Sequence, residues 1–347
     1  MSSIAAVVLA AGKGTRMKSE LPKPLHQIRG RTLLGWVLSA LTPELFDEAV
    51  IVVGHGSELV MDSLAEHQSD RRFLFAEQMA QRGTGDATAV GLAELDGAAP
   101  SFNDHDHVLV LPGDTPLVTS ATVEALIAAH RASEAACTVV TIRVPDPTGY
   151  GRIVRTPNQD VEAIVEHADA TADQRRIDEI NSAVYCFRRS LLAPALRMID
   201  SDNSQGELYL TDVIGVLVQA GHTVVPFEAD PGEFAGVNDR SQLGEAATVL
   251  DARIATEWMR SGVTIVQPSS TVIDVTATIG PDTTIHAGSV IEGTTTIGES
   301  ASIGPATHLR NATVGDRAAV TMSRVVDTEV PAEATVGPFT DLGNPIS

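Results

Sequence analysis

Apolar residues follow two different rhythms along this chain, and the change from one to the other falls at Gly262. Before it, apolar runs of strand length recur at Ala5–Ala10, Ala49–Val53, His107–Leu111, Cys137–Val144, Ala183–Phe187 and Thr223–Phe227. Runs with little polar alternation read as strands covered on both faces. Between several of them, Leu33–Leu41, Ala121–Ala132 and Leu208–Ala220 carry apolar positions at helical spacing. The alternation predicts a doubly wound, mostly parallel α/β sheet with ligands at the carboxyl ends of its strands.

A helix-favouring stretch follows from Asp239 to Ser261, with Leu243, Ala247, Leu250, Ile254 and Trp258 near helical spacing and Gly262 as its stop. Beyond it, Ile273, Ile279, Ile285, Ile291, Ile297, Ile303 and Leu309 recur every six residues amid Gly, Thr and Ser. Neither helices nor hairpins produce that period, whereas a hexapeptide-repeat parallel β-helix does. The pattern blurs after Val314 and resumes at Val330 and Val336, which predicts a loop or irregular coil between them. The expected organisation is a ligand-binding domain over 1–238, a helical arm over 239–262 and a short left-handed β-helix over 263–347.

Within the first rhythm, the run Ile4–Leu9 empties into Ala10-Ala11-Gly12-Lys13-Gly14-Thr15-Arg16-Met17, with Leu21-Pro22-Lys23 close behind. Glycines let such a loop turn tightly, and successive N–H groups then form an anion-binding concavity. Arg16 and Lys23 add fixed positive charge. The spacing excludes a Walker loop, because Gly12 and Gly14 enclose a single Lys13. A dinucleotide fingerprint fails too, for lack of a third glycine at Met17. An ordinary strand-to-helix turn remains the alternative reading.

A second apolar strand ends in Leu111-Pro112-Gly113-Asp114, where the carboxylate suits either a divalent cation or a cap of the following turn. Asn238, in the turn Gly236-Val237-Asn238-Asp239, is a candidate second oxygen ligand. Gln78 precedes another Gly-rich turn, Gln81-Arg82-Gly83-Thr84-Gly85-Asp86, whose backbone and hydroxyl groups suit a base edge. Glu166 and Asn181 lie beside strand-like runs, where they suit sugar hydroxyls or ordinary exposed sheet positions equally.

Charge narrows the choice. The 347 residues carry a formal charge of −21, which repels nucleic acid and anionic membrane and makes any phosphate site a local cationic island. A hydrophobic content of 43% describes a folded protein. The two cysteines, Cys137 and Cys186, sit in apolar runs, which argues against a disulfide framework and favours a reducing cytoplasm.

Taken in order, these motifs, together with Gly149-Tyr150-Gly151-Arg152, Glu179-Ile180-Asn181 and Gln205-Gly206-Glu207-Leu208-Tyr209-Leu210-Thr211-Asp212, resemble the sugar-phosphate nucleotidyltransferases. The nearest resemblance is to the bacterial GlmU family, the N-acetylglucosamine-1-phosphate uridylyltransferases of peptidoglycan precursor synthesis. The resemblance implies contacts to UTP from Leu9, Ala10, Ala11, Gly12, Lys23, Gln78, Gly83 and Thr84. For N-acetylglucosamine 1-phosphate or the UDP-N-acetylglucosamine product it implies Gly151, Glu166, Asn181 and Asn238. It further implies magnesium on Asp114 and Asn238, Arg16, Lys23 and Asp114 as catalytic groups, pyrophosphate as second product, and a homotrimer through the β-helix.

The chain departs from the family pattern at Asp86 in place of His, Arg82 in place of Leu, Ala168 in place of a basic residue, and Ser182 in place of Thr. Asp86 is expected to bring negative charge close to the nucleotide loop. Because the sequence stops soon after Gly337-Pro338-Phe339, acetyltransferase activity is expected to be absent. Other sugar 1-phosphates, or a catalytically silent hexapeptide scaffold, are the competing expectations.

Overall fold

A computed structural model describes residues 4–46, 48–65, 73–98 and 107–343. The chain divides into two compact units, one of residues 1–26 and 33–239 and the other of residues 27–32 and 240–347. The short excursion 27–32 groups with the second unit, which continuity along the chain does not predict. Its strands β2 (Gln27–Ile28) and β3 (Arg31–Thr32) form a hairpin that follows β1 (Ile4–Leu9) in sequence.

The first unit is built on one mixed sheet. After β1 come β4 (Glu48–Val53), β5 (Leu74–Glu77), β6 (His107–Pro112), β7 (Cys137–Arg143), β8 (Arg152–Arg155), β9 (Val161–Val165), β10 (Glu179–Arg188) and β11 (Val224–Glu228). The order along the sheet is β11-β7-β10-β6-β1-β4-β5, with β8 and β9 added through β10. β6, β1, β4 and β5 are mutually parallel, and β10 runs antiparallel to both of its neighbours in that order, β6 and β7.

Two separate apolar cores explain the unbroken hydrophobic runs. Ile4, Ala6 and Val8 of β1 enter one core, and Ala5 and Val7 enter the other. Helices α1 (Leu33–Ala40), α2 (Ser57–Ala65) and α4 (Ser120–Ser133) supply the first, through Leu34, Val37, Val60, Leu126 and Ile127. Helices α3 (Thr84–Ala98), α5 (Arg189–Leu196) and α6 (Asp212–Gln219) supply the second, through Leu92, Leu95, Leu192, Val213 and Leu217. A strand enclosed on both faces has no use for polar alternation.

Helix α6 starts at Asp212, four residues later than the spacing predicts. Leu208 accounts for the difference, since its N–H donates to the Arg82 carbonyl at 2.7 Å and its carbonyl accepts from Gly85 N–H at 2.8 Å. A backbone committed to that loop has no groups left for a helical turn.

In the second unit, α7 (Arg240–Arg260) leads through Gly262, at φ 99°, into a three-faced prism of short strands. Three parallel sheets of five, five and four strands form its faces. Ile273 stacks on Ile291, so that a coil is eighteen residues long, and Ile285 on Ile303 repeats the spacing. Of the two expectations after Val314, the intervening loop is absent among the described residues and the coil is irregular in length. The coil shortens: Val314 stacks on Val330, sixteen residues on, and the inward residues become Val314, Val320, Val325 and Val330. Five-residue steps break the sequence period without breaking the prism.

The hairpin β2–β3 is tied to this unit by the Arg29 guanidinium, which pairs with Asp251 of α7 at 2.6 Å through one N–H, and by Val275 N–H donating to the Arg29 carbonyl at 3.1 Å.

Candidate active site

The loop after β1 and the turn after β6 leave the sheet on one edge because the two strands are parallel neighbours, with Leu9 opposite Pro112. Gly113 N–H donates to the Leu9 carbonyl at 2.8 Å and Ala10 N–H to the Val52 carbonyl at 2.9 Å, which fixes the root of the loop. The glycines then do different work. A Cβ on Gly12 would meet nothing within 4 Å, so this residue leaves open space, whereas Gly14 at φ 60° would carry a Cβ only 2.6 Å from Lys23 Cβ. Gly14 is therefore what lets the loop close onto Lys23.

Lys23 is the hub of the charged cluster. Its ammonium pairs with the Asp114 carboxylate and donates to Asn238 Oδ1 at 3.0 Å, and Arg16 donates to the same oxygen at 2.9 Å. The Asn238 turn is brought there by Val237 N–H donating to the Asp114 carbonyl at 2.9 Å. Arg16, Lys23, Asp114 and Asn238 thus meet, although 215 residues separate Lys23 from Asn238.

Beside this cluster lies a cavity of about 540 Å³. Leu9, Ala10, Ala11, Gly12, Lys23, Gln78, Gly83, Thr84, Asp114, Glu166 and Asn181 line it. Arg16, Asn238 and Gly151 do not. Gly151 stands behind Glu166, where its own Cβ would lie 3.4 Å from that carboxylate, and its carbonyl accepts from Asn181 N–H at 2.9 Å.

The Gly83–Gly85 turn is clamped by the segment before α6. A Cβ on Gly83 would lie 2.5 Å from the Leu208 carbonyl oxygen, and Thr84 Oγ1 accepts from Leu210 N–H at 3.0 Å. That hydroxyl, expected to face a base edge, is engaged in holding the turn. Asp86 likewise differs from expectation. It is buried, and its two oxygens accept from Arg82 at 2.6 Å and from Gln78 Nε2 at 2.8 Å. Two of the four departures from the family pattern, Arg82 and Asp86, are thus each other's partners, so Asp86 brings no unpaired charge to the loop.

On the far side, β10 carries Asn181, Ala183 and Tyr185 on one face, with a register shift between Asn181 and Tyr185 and Ala183 at φ 62°. Asn181 is buried rather than an exposed sheet position, and it donates to the Tyr185 hydroxyl at 2.6 Å and accepts from Ala183 N–H at 3.0 Å. One amide N–H and one lone pair remain for a ligand. Burial pushes the Glu166 carboxyl above its ordinary range, opposed by the Thr211 hydroxyl, which donates to it at 3.1 Å, and reinforced by Asp212 and Asp169.

Sequence reasoning passed over Gln81, Tyr185 and Thr211. Gln81 donates to the Ala11 carbonyl at 2.6 Å and so ties the second glycine turn to the first. Gln81 and Thr211 stood inside motifs already noted, but Tyr185 is hidden in an apolar run with nothing to mark its hydroxyl.

Two hard oxygens, from Asp114 and Asn238, converge on the single ammonium of Lys23, and that donor set suits a divalent cation whose other ligands are water and phosphate. No group of three or more His, Cys, Asp or Glu side chains among the described residues forms a self-sufficient metal cage.

The MobA-like NTP transferase domain family matches residues 6–210. Over 340 residues the chain is 48% identical to the bifunctional protein GlmU of Streptomyces avermitilis, covering 97% of this chain and 69% of that protein. The chain belongs to the GlmU family. Similar matches are to the GlmU proteins of Corynebacterium glutamicum, 46% identical over 97% of this chain and 69% of that one, and of Brevibacillus brevis, 44% identical over 98% and 71%. As a GlmU-family nucleotidyltransferase the chain is a sugar-1-phosphate uridylyltransferase, with nucleotide and sugar phosphate substrates and the divalent-metal dependence general to such enzymes. Among the described residues no helix is long and apolar enough to cross a membrane.

Proposed function

We propose that this chain joins UTP to N-acetylglucosamine 1-phosphate, giving UDP-N-acetylglucosamine and pyrophosphate. A phosphate oxygen of the sugar 1-phosphate attacks the α-phosphorus of UTP in line, the new P–O bond forms, and the bond to the β-phosphate oxygen breaks. The nucleophile is already anionic, so no general base is required and catalysis is positioning plus charge neutralisation.

The observation that carries this reading is the meeting of Arg16, Lys23, Asp114 and Asn238 beside a cavity walled by two glycine turns. On this reading the open space at Gly12 and the neighbouring backbone receive the triphosphate, while Arg16 and Lys23 neutralise its oxygens. Gln78 and Gly83 face the base, with Thr84 holding their turn. Glu166 and Asn181 take the sugar hydroxyls, with Gly151 giving Glu166 room. Asp114 and Asn238 would hold magnesium, which when bound would supply positive charge to offset that of the phosphates. The exposed Val266, Met322 and Phe339 of the prism suit a homotrimer through the β-helix, which light scattering checks.

The test is pyrophosphate release from UTP with N-acetylglucosamine 1-phosphate, glucose 1-phosphate and mannose 1-phosphate in turn. Preference for the acetylated sugar is expected. Equal rates with all three would remove the sugar assignment, and no release with any would remove the reaction.

A further inference from the structure

Tyr185 lies on β10, four residues after Asn181, and lines the cavity although only 1% of it is exposed. Positions four apart in an unbroken strand stand about 13 Å from one another. The bulge between these two, with Ala183 at φ 62°, brings their side chains together, and Asn181 Nδ2 donates to the Tyr185 hydroxyl at 2.6 Å. The direction of that bond is fixed. Ala183 N–H donates to Asn181 Oδ1 at 3.0 Å, so the NH2 end is the one that faces Tyr185, and an NH2 only donates. The phenol oxygen is therefore the acceptor, and its own proton has to find another partner. Among the described residues that proton has no hydrogen-bond acceptor. Burial first, then the Glu166 carboxylate, pushes the phenol up, so the proton stays on the oxygen. The ring stacks on Phe187 in the second core, with centroids 5.5 Å apart, which leaves the hydroxyl little room to turn away.

We infer that the Tyr185 hydroxyl donates to the acetyl carbonyl oxygen of the sugar phosphate, which makes Tyr185 a specificity-determining residue for the acetamido group. The inference rests on the uridylyl-transfer reading, which puts N-acetylglucosamine 1-phosphate against Glu166 and Asn181. A buried donor at the wall of a cavity asks for an acceptor in the ligand. Sugar hydroxyls carry protons of their own and give them to Glu166 and to the free lone pair of Asn181, while the phosphate oxygens go to Arg16 and Lys23. The acetyl carbonyl has no proton to give. It is the complement of a phenol that has already accepted one hydrogen bond and is left only to donate. Glucose 1-phosphate carries a hydroxyl where the acetamido group stands and lacks that oxygen.

The decisive variant is Tyr185→Phe, which removes the hydroxyl and keeps the ring on Phe187. Asn181 stays oriented by the Ala183 N–H, and any loss that ran through Asn181 would fall on both sugars alike, so the comparison between sugars separates the two routes. Initial rates at saturating UTP and magnesium give KM for N-acetylglucosamine 1-phosphate and for glucose 1-phosphate, and calorimetry on the full chain gives Kd for the two UDP-sugars. The variant is expected to raise KM and Kd for the acetylated compounds about tenfold, the scale of one hydrogen bond to a buried group. For the glucosyl compounds the rise should stay below about twofold, and KM for UTP should not change. Equal losses for both sugars, or no loss for either, overturn the inference.

If Tyr185→Phe does not fold, the wild-type chain decides. It holds three tyrosines, so tyrosine labelled with carbon-13 at Cζ gives three resonances, and Tyr150→Phe and Tyr209→Phe assign the remaining one to Tyr185. That resonance is expected to move downfield when UDP-N-acetylglucosamine binds and to stay in place when UDP-glucose binds. A resonance that moves with both, or with neither, overturns the inference. Wild-type chain that releases no pyrophosphate from UTP with N-acetylglucosamine 1-phosphate would instead fail the uridylyl-transfer reading. Wild type that turns over the acetylated sugar beside a Tyr185→Phe variant with the same sugar preference fails this inference alone.

Discussion

The ammonium of Lys23 rests on the carboxylate of Asp114, with 15% and 22% of the two side chains exposed. Asn238 Oδ1 shares the same ammonium at 3.0 Å. The amine of Lys23 therefore stands at the point where two oxygen ligands would meet a divalent cation, and the two cations compete for one pair of oxygens unless phosphate draws Lys23 away.

Asp114→Ala is accordingly expected to lower turnover by roughly 100-fold or more even at saturating magnesium, the scale of losing a principal electrostatic group. Manganese binding read by electron paramagnetic resonance should weaken with it. Lys23→Met should lower turnover too, but should keep or tighten manganese binding, because it removes the competing charge. Near wild-type turnover in Asp114→Ala would remove that residue from the metal site.

The two glycines of the first loop should separate cleanly. Gly14→Ala places a Cβ against Lys23 at φ 60° and is expected to cost roughly 1–3 kcal/mol of stability, the range for a strained backbone position. Gly12→Ala meets nothing in the protein and should leave the urea midpoint unchanged while raising KM for the nucleotide. Equal destabilisation by both would contradict the geometry.

Glu166 gives a pH signature. Burial raises its carboxyl and the Thr211 hydroxyl holds it down, so Thr211→Val should raise it further. The acidic limb of the kcat/KM profile for the sugar phosphate is then expected to move to higher pH, since ionised Glu166 appears only at higher pH. A limb that stays in place would show that Glu166 does not govern it.

His130 sets an acid limit on stability. It is buried in α4, its Nδ1 is 2.8 Å from Thr138 Oγ1 and its Nε2 is 3.1 Å from His107 Nδ1. Burial first, then the neighbouring His107, Arg188 and Arg131, pushes it down to about 3. The folded value lies below the unfolded one, so the unfolded chain binds the extra proton. Stability is full above about pH 6.5 and falls as pH drops toward 3, by roughly 1 kcal/mol per unit. Urea midpoints at pH 7 and pH 5 should differ less in His130→Gln than in wild type.

How much of this was legible in the sequence depends on distance along the chain. Ile4–Leu9 announced a strand covered on both faces because every position is apolar, and the six-residue spacing from Ile273 to Leu309 announced the prism. The meeting of Lys23 with Asn238 was not written in any local pattern, since only the packing of β1 against β6 and the Val237–Asp114 backbone bond bring the two together. Leu208 looked helical by spacing because nothing in its side chain reveals that its backbone is committed to Gly85 and Arg82. Arg82 and Asp86, by contrast, stand at i and i+4 with opposite charge, and their pairing could have been read beforehand.

The coil shortens from eighteen residues through seventeen to sixteen and returns to seventeen between Val325 and Leu342, so the column holds no single repeat length. Isoleucines from Ile273 to Ile303 point inward first and valines from Val314 to Val330 after them. An eighteen-residue coil spliced in beyond Leu309 would arrive one or two residues too long for its neighbours. Tandem duplication keeps the register only among the eighteen-residue coils, and past them each coil is fitted to its own place.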